Sequence, residues 1–143
     1  MGGLTQSKKA EALRGAPLFE GLSKKELIEL ARVTDDLQVA AGTVLCKEDT
    51  LGREFFVLVE GTVDVTRGGK PIATRQAGDF VGEIALLTSA RRTATVTATT
   101  PLRCLILMRG DFRRVLDENR SIERKVMEAL ADRLAGYAAD PAF

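Results

Sequence analysis

The most informative feature of this sequence is what it lacks: among 143 residues there is no histidine and no tryptophan, and there is only one tyrosine. Without histidine the chain has neither the usual general base nor an imidazole metal ligand, which excludes hydrolysis by a histidine-containing triad and a histidine metal centre. No apolar run approaches the roughly 18 residues of a membrane-spanning helix. A net charge of +1 gives no reason to expect binding to nucleic acid or to an anionic membrane.

Cysteine is also scarce. Cys46 and Cys104 both lie in apolar, strand-like runs, so we expect two buried thiols in a reducing compartment, with a disulfide as the minority alternative. The first residues, MGGLTQSKKAEAL, have no signal-peptide pattern, and Gln6 stands where a myristoylation motif requires Ser or Thr. We therefore expect a cytoplasmic protein that does not insert into a membrane.

The length and composition fit one folded domain. Hydrophobic residues make up 45% and charged residues 29% of the chain, and both values are typical of soluble globular proteins. A chain of this length can bury most of its apolar surface. We expect residues 1–12, which are polar and begin with glycines, to be frayed or weakly helical.

From about residue 37 to residue 108, short apolar segments alternate with glycine-containing turns, which is typical of an antiparallel sandwich or barrel. Gly68-Gly69 predicts a two-residue hairpin. Phe56 and Leu58 alternate with residues that we expect to face outward. Val63 and Val65 alternate with outward residues in the same way, and the two patterns predict sheets buried on one face. The predicted strands are LQVA, TVLCK, EFFVLVEG, TVDVTRG, PIATRQ, ATVTAT and RCLILM.

Helical patterns flank this region on both sides. Residues 23–26, Ser-Lys-Lys-Glu, form a capping-box sequence ahead of an apolar stripe, which predicts a helix used for packing. After the strands, we expect Asp111 to cap a short helix. A longer helix from about Ser121 places five apolar residues on one stripe, namely Ile122, Val126, Ala129, Leu130 and Leu134.

Residues 78–96, GDFVGEIALLTSARRTATV, carry a combination that ordinary packing does not explain. A helix that begins at Gly82 or Glu83 presents unpaired N–H groups and partial positive charge, which suit an anion. Arg92 can close such a site with a planar fork that matches phosphate. Glu83 repels phosphate but can accept hydrogen bonds from sugar hydroxyls. The residues therefore indicate a ligand in which a phosphate is joined to a sugar.

The stretch GEIALLTSARRTATV at 82–96 resembles the phosphate-binding cassette of cyclic nucleotide-binding domains, in which Gly-Glu-(Ile/Leu)-Ala-Leu precedes a short loop, an arginine and two small residues. The resemblance implies that Glu83 accepts from the ribose 2′-hydroxyl and that Arg92 pairs with the cyclic phosphate. Arg92, and not Arg91, gives the arginine-small-small run. The other residues implied to line the cassette are Gly82, Ile84, Ala85, Thr93 and Ala94.

The likeness extends on both sides, since FFVLVEGTVDV at 55–65 resembles the strand-turn-strand of these domains and LFEGLSKKELIELA at 18–31 resembles their N-terminal helix. The implied fold is mainly β with flanking helices (α+β): a double-stranded β-helix, or jelly-roll barrel, with an N-terminal helix and C-terminal lid helices. The implied domain spans residues 18–138, between a lead-in at 1–17 and a tail at 139–143.

The function implied by the resemblance is that of a non-catalytic sensor of cAMP or cGMP without metal or cofactor. Its C-terminal helix would close over the ligand and regulate a partner or a linked effector. Arg133, Leu134 and Tyr137 on that helix are the candidate base contacts. Thr93 either bonds a guanine edge in the syn form or is a small strand residue without such a role, and we lean to cAMP while leaving cGMP open. Self-association stays open, and we expect no nucleic-acid contact by this chain alone.

Some features depart from the pattern or allow other interpretations. Val81 precedes Gly82 where many relatives have phenylalanine, and Arg91 stands where proline is frequent. The alternative function is a degenerate domain that serves as a protein docking module, against which the intact Glu83 and Arg92 speak. These two residues have the alternative of an ion pair on a surface loop. An enzyme on the similar cupin scaffold would need histidine ligands, which the chain lacks.

Overall fold

The computed structural model describes residues 3–139, without the side chains of residues 133, 134 and 136–139. Within this range, helices flank a region of eight strands, as expected for a mainly β fold of the jelly-roll type. The helices are α1 (Gln6–Arg14), α2 (Lys24–Ala31), α3 (Arg109–Glu118) and α4 (Arg120–Ala139), with short 3₁₀ turns at Pro17–Phe19 and Glu83–Leu86. The strands are β1 (Asp35–Val39), β2 (Val44–Cys46), β3 (Glu54–Glu60), β4 (Thr62–Arg67), β5 (Lys70–Gln76), β6 (Phe80–Val81), β7 (Thr95–Ala98) and β8 (Leu102–Met108).

The strands form two antiparallel sheets of four strands each within the described residues. Sheet one has the order β1-β8-β3-β6, and sheet two has the order β2-β7-β4-β5. Neighbouring strands are often distant in sequence, as in a jelly roll, so that the first strand, β1, pairs with the last described strand, β8. Gly68 and Gly69 have φ angles of 58° and 80° and connect β4 to β5. Both angles are positive, as a tight hairpin turn requires, and the predicted hairpin is confirmed.

Strand β3 lies between two apolar clusters. Phe55 and Val57 pack with the helices, whereas Phe56 and Leu58 pack between the two sheets. Burial of each of these side chains contributes roughly 1.5–3 kcal/mol. The expectation that the neighbours of Phe56 and Leu58 face outward is therefore wrong, because helices cover the second face of β3. The expectation is correct for β4, in which buried Val63 precedes an exposed aspartate.

Residues 6–12 belong to helix α1, so the expectation of a frayed or weakly helical segment at residues 1–12 is wrong for this part; residues 1 and 2 lie outside the described residues. Thr5 caps α1 by accepting a hydrogen bond from the Lys8 backbone N–H at 3.1 Å. Ala10 and Leu13 lie on one face of α1 and are buried against the rest of the domain. This tertiary contact holds a helix whose own sequence gives it little amphipathic character. The domain limits at 18 and 138 stay a prediction.

Helix α2 is joined to the start of α4 through Glu26. The predicted capping box is confirmed, since Ser23 and Glu26 exchange hydrogen bonds at the first turn of α2. Ser121 Oγ and Lys125 Nζ each donate to a Glu26 carboxylate oxygen at 2.6 Å. Burial opposes ionisation of Glu26, but these hydrogen bonds outweigh it and lower its pKa to about 2. Helix α2 therefore contacts the closing helix, as predicted, and the contact is made by the charged side chains of Glu26 and Lys125.

Of the two C-terminal helices, α3 begins differently from the prediction. Helix α3 begins at Arg109 without a side-chain cap. Asp111 lies inside its first turn and pairs with Arg114, so the expectation that Asp111 caps this helix is wrong. Helix α4 buries Ile122, Val126 and Ala129 along one stripe, as predicted. Among the helices of the described residues, none has the length and apolarity needed to cross a bilayer.

Candidate functional site

A cleft of about 240 Å³ lies between sheet two and the segment 82–94. Apolar side chains from sheet two, including Val65 and Val96, form part of its wall. The predicted site residues on the described part of the chain come together here. They are Gly82, Glu83, Ile84, Ala85, Arg92, Thr93 and Ala94, all of which line the cleft.

The segment after β6 turns sharply and forms one wall of the cleft. Gly82 has a φ of 82°, a left-handed conformation that glycine adopts without strain. The predicted short helix is a single 3₁₀ turn at Glu83–Leu86, closed by the Ala85 N–H donating to the Gly82 carbonyl at 3.0 Å. Ala85 is buried beneath it, whereas Ile84 is 55% exposed at the mouth of the cleft.

The backbone of Arg92 is fixed on both sides by the loop between β2 and β3. Its N–H donates to the Thr50 carbonyl at 2.7 Å, and its carbonyl accepts from the Asp49 N–H at 2.8 Å. The neighbouring Arg91 donates from Nη1 to the Asp49 carbonyl at 2.7 Å and stays exposed. Of the two adjacent arginines, Arg92 is buried and Arg91 is exposed, and both line the cleft.

The guanidinium of Arg92 lies in a cradle formed by two glycines. A Cβ added to Gly52 would lie 2.0 Å from Arg92 Nε, and one added to Gly82 would lie 2.4 Å from Arg92 Nη1. Nη2 donates to the Glu54 carbonyl at 2.8 Å and to its carboxylate at 3.3 Å. Nη1 is buried and has no hydrogen-bond partner among the described residues. Such an unpaired donor costs about 1–3 kcal/mol, which an acceptor in the cleft would offset.

Glu83 connects the cleft to the N-terminal part of the domain. It is 8% exposed, and Oε2 accepts from the Leu18 backbone N–H at 3.2 Å. Because Glu83 and Arg92 are both buried, the alternative of an ion pair on a surface loop is wrong. Leu18 belongs to the 3₁₀ turn Pro17–Phe19, which packs against α4. Glu83 thus contacts, through the Leu18 N–H, the turn that packs against α4.

Cys46 and Cys104 are buried free thiols, as the sequence predicted. Cys46 lines the cleft, and burial raises its pKa although the positive charge of Arg92 acts in the opposite direction. Burial raises the pKa of Cys104 to about 11. Both thiols are thus protonated at neutral pH and pack as small apolar groups.

Sequence reasoning missed three residues of the site. Gly52 was assigned no role and Glu54 only begins a predicted strand, although they hold the Arg92 guanidinium. Arg75 on β5 lines the cleft as well. A register for the β4–β5 hairpin would have placed Arg75 on the inner face of the sheet; no local signal marks Gly52 or Glu54.

Thr93 is exposed at the cleft, and its carbonyl accepts from Arg67 Nε at 2.9 Å. The candidate base contacts Arg133, Leu134 and Tyr137 lie outside the residues whose side chains the structure describes. Helix α4, which carries them, extends to Ala139. Contact of these side chains with a base stays a prediction.

Comparison with known proteins places this cleft in a family context. The cyclic nucleotide-binding domain family matches residues 36–119. A cyclic nucleotide-gated potassium channel of Rhizobium etli is 32% identical over 126 residues, which cover 88% of this chain and 35% of the channel. Isozyme 1 of the cGMP-dependent protein kinase of Drosophila melanogaster is 34% identical over 121 residues, which cover 79% of this chain and 16% of the kinase.

A solved structure shows the same architecture. The N-terminal domain of a transcriptional regulator from Streptomyces coelicolor A3(2) superposes with a TM-score of 0.84 at 29% identity, covering 88% of this chain and 94% of that domain. The chain spans about a third of the channel and less of the kinase, so the likeness concerns a domain and not those whole proteins. The fold, the cassette and the family match agree, and the chain belongs to the cyclic nucleotide-binding domain family.

Proposed function

We propose that this chain is a non-catalytic sensor domain that binds a cyclic purine nucleotide, cAMP by preference and cGMP as well, in the cleft beside Gly82. One observation carries the proposal. Arg92 Nη1 is buried next to Gly82 without a hydrogen-bond partner in the described residues. A phosphate oxygen in the cleft would supply the missing acceptor and the opposite charge.

The neighbouring groups support a sugar phosphate as the ligand. Gly82 lets a phosphate approach the backbone, since it has no side chain at the wall of the cleft. Glu83 lines the same cleft with a buried carboxylate, and a carboxylate accepts hydrogen bonds from the hydroxyl of a ribose. Val65 and Val96 provide an apolar surface on which a purine can pack. No metal or cofactor is needed for such binding.

Regulation would follow from the connection between Glu83 and the helices. A ribose hydroxyl that bonds Glu83 would draw on the same carboxylate that accepts from the Leu18 N–H, and would thereby alter the geometry of that hydrogen bond. The turn at Pro17–Phe19 would then shift against α4, and α4 would close over the base. Ligand binding would favour this closed state by its differential affinity, and a partner or linked effector would respond to the position of α4.

Isothermal calorimetry with cAMP and with cGMP tests the binding proposal on the wild type and on Arg92→Ala. We expect Arg92→Ala to weaken both affinities about 100-fold, because a charge-assisted, water-excluded contact with phosphate is lost. Arg32→Ala is the control, since it removes an exposed arginine that does not line the cleft. It should change either affinity less than about threefold.

Two outcomes would contradict the proposal. If the wild type bound neither nucleotide at millimolar concentration, the docking-module alternative would be favoured. If Arg92→Ala bound as tightly as the wild type, the phosphate would lie elsewhere.

Hydrogen exchange tests closure separately. We expect amides of α4 to become more protected on addition of saturating cAMP in the wild type, while those of β8 stay unchanged. Unchanged exchange in α4 with bound ligand would contradict closure but leave binding intact.

A further inference from the structure

Residues 88–90, here called the cassette loop, are all exposed, so burial does not hold them in place. Ala90 nevertheless lines the cleft, which makes the shape of this loop part of the site. Its own hydrogen bonds are local: the Thr88 N–H donates to the Ile84 carbonyl at 3.0 Å, and the Ala90 N–H donates to Thr88 Oγ1 at 3.1 Å. Bonds of this kind shape the loop but do not fix it against the rest of the domain.

Arg109, the first residue of α3, supplies the contact with the rest of the domain. Its Nη1 donates to the Thr88 carbonyl at 2.7 Å and to Ser89 Oγ at 3.1 Å. This nitrogen carries two hydrogens, so it can serve both acceptors. Among the described residues, these are the hydrogen bonds that join the cassette loop to another element.

The position of Arg109 is set by the same strand that holds the Arg92 guanidinium. The Arg109 N–H donates to the carbonyl of Arg53, which directly precedes β3, at 2.8 Å. Glu54, the first residue of β3, lies opposite Met108 and accepts from Arg92. Adjacent residues at the start of β3 therefore anchor both the Arg92 guanidinium and the residue that holds the loop before it.

The order of this loop has a direct consequence for affinity. When only a fraction of the molecules has the competent shape, the apparent affinity falls by that fraction. A loop that is already held in the bound shape avoids this loss. A hydrogen bond from a guanidinium to a carbonyl is charge-assisted and therefore stronger than a neutral one. The exposure of the loop weakens it, so we expect an effect of several-fold and not of orders of magnitude.

We propose that Arg109 is a positioning residue that holds the cassette loop in the shape that receives the phosphate. It acts through the Thr88 carbonyl and the Ser89 hydroxyl and makes no contact with the nucleotide. The proposal rests on the proposed function, because it requires a cyclic nucleotide in the cleft. It adds a residue of α3, outside the cassette, to those that determine affinity.

Hydrogen exchange of the protein without ligand, measured by NMR, tests the anchor first. The amides of Thr88 and Ala90 are the reporters, since both are hydrogen-bonded within the loop. We expect Arg109→Ala to accelerate their exchange about fivefold, because the loop opens more often once its anchor is removed. Amides in the middle of β8 should exchange at the wild-type rate.

Calorimetry with cAMP and with cGMP then tests the effect on binding. Arg109→Ala should weaken both nucleotides by the same factor of about five, since the loop belongs to the phosphate side that the two share. This factor should match the acceleration of exchange, because the ligand then has to order the loop. Arg113→Ala is the matched control: it removes an exposed arginine of α3 that makes no hydrogen bond to the loop, and both affinities should stay within about twofold.

Two further variants separate positioning from charge. Arg109→Lys keeps the charge with a shorter reach, and we expect it to restore part of the affinity and part of the slow exchange. Ser89→Ala removes one acceptor and no charge, and it should change both quantities about twofold in the direction of Arg109→Ala. Because Ser89 is exposed, this variant tests the contact even if thermal unfolding shows that Arg109→Ala does not fold.

The outcomes distinguish this proposal from the proposed function. Weaker binding by Arg109→Ala with unchanged exchange of the loop would show that the guanidinium acts on the ligand by its charge, and would overturn the proposal. Faster exchange with unchanged affinity would overturn it too, since the order of the loop would not matter for binding. In both cases binding in the cleft would stand. If the wild type bound no cyclic nucleotide, the proposed function would fail and the role of Arg109 in binding with it.

Discussion

Two partly or fully buried arginines of this domain make contrasting ion pairs. Arg103 on β8 donates from Nε to Asp36 Oδ1 at 2.9 Å and from Nη2 to Asp36 Oδ2 at 2.6 Å, a bidentate arrangement. Arg92 reaches the Glu54 carboxylate only through Nη2, at 3.3 Å, although its side chain is 7% exposed compared with 15% for Arg103. The more deeply buried arginine thus has the poorer protein partner.

The contrast separates a structural pair from a pair that is open to a ligand. The Arg103 guanidinium lowers the pKa of Asp36, and the two side chains join β1 to β8 in a closed geometry. Arg92 keeps Nη1 unpaired while two glycines hold it in place. A good bidentate pair stabilises the fold, whereas the incomplete pair of Arg92 leaves a buried donor for the phosphate that we propose to bind in the cleft.

Disturbing the cradle of Arg92 should give the largest effect. In Gly82→Ala the new Cβ would lie 2.4 Å from Arg92 Nη1 and 2.8 Å from the Glu54 carbonyl oxygen. We expect cyclic nucleotide affinity to fall at least tenfold and the free energy of unfolding to fall by about 2–3 kcal/mol. Calorimetry and urea denaturation measure the two quantities.

Gly42→Ala is the matched control for that variant. Gly42 has a similar φ of 92°, and a Cβ there would meet nothing within 4 Å. It should lower stability by about 1–2 kcal/mol through backbone strain alone and leave affinity unchanged. If Gly82→Ala and Gly42→Ala bound cyclic nucleotide with equal affinity, the cradle around Arg92 would have no special role in binding.

Arg103→Ala should affect stability and not binding. Loss of the guanidinium leaves Asp36 with half of its partners, and we expect the free energy of unfolding to fall by about 2 kcal/mol, less than for a fully buried pair. Urea denaturation measures this loss, and Arg32→Ala, from an exposed pair on α2, should lower it by less than about 0.5 kcal/mol. A loss of nucleotide affinity in Arg103→Ala like that of Arg92→Ala would make the two arginines equivalent.

A smaller, pH-dependent effect on stability is expected at Glu26, which forms an ion pair with Lys125 and so joins α2 to α4. Its pKa in the folded protein is about 2, below its ordinary value of 4.5. The stabilisation is therefore fully present above pH 4.5 and is lost as the pH falls toward 2. At pH 7, Glu26→Gln should lower the free energy of unfolding by about 1 kcal/mol, less than expected from the pKa alone because solvent screens the pair.

Urea denaturation of the wild type and Glu26→Gln at pH 7, 4 and 3 measures this dependence. The difference between the two proteins should shrink as the pH decreases from 7 to 3. A difference that stays constant from pH 7 to pH 3 would contradict the assignment of the charge to this contact.

Much of the fold was predictable from local patterns. The capping box at Ser23 and the hairpin at Gly68-Gly69 depend on residues close in sequence and lie where they were predicted. The seven predicted strand segments overlap β1–β5, β7 and β8, whereas β6 was not predicted. Which faces of the helices and strands pack together was harder to predict from the sequence. The burial of helix α1 and of the second face of β3 depends on residues far along the chain. Helix α1 also has too few apolar residues for its sequence to predict that it is buried.

The sequence by itself determined the cassette, because Gly82, Glu83 and Arg92 lie within eleven positions and each residue type has a distinct role toward a phosphate or a sugar. Only the tertiary structure decided how those groups are held. Glu54 meets Arg92 across 38 positions, Leu18 meets Glu83 across 65 positions, and Arg75 enters the cleft through the register of β4 and β5. Contacts of this kind arise when distant segments pack together, so the residues that make them carry no signal in their own neighbourhood.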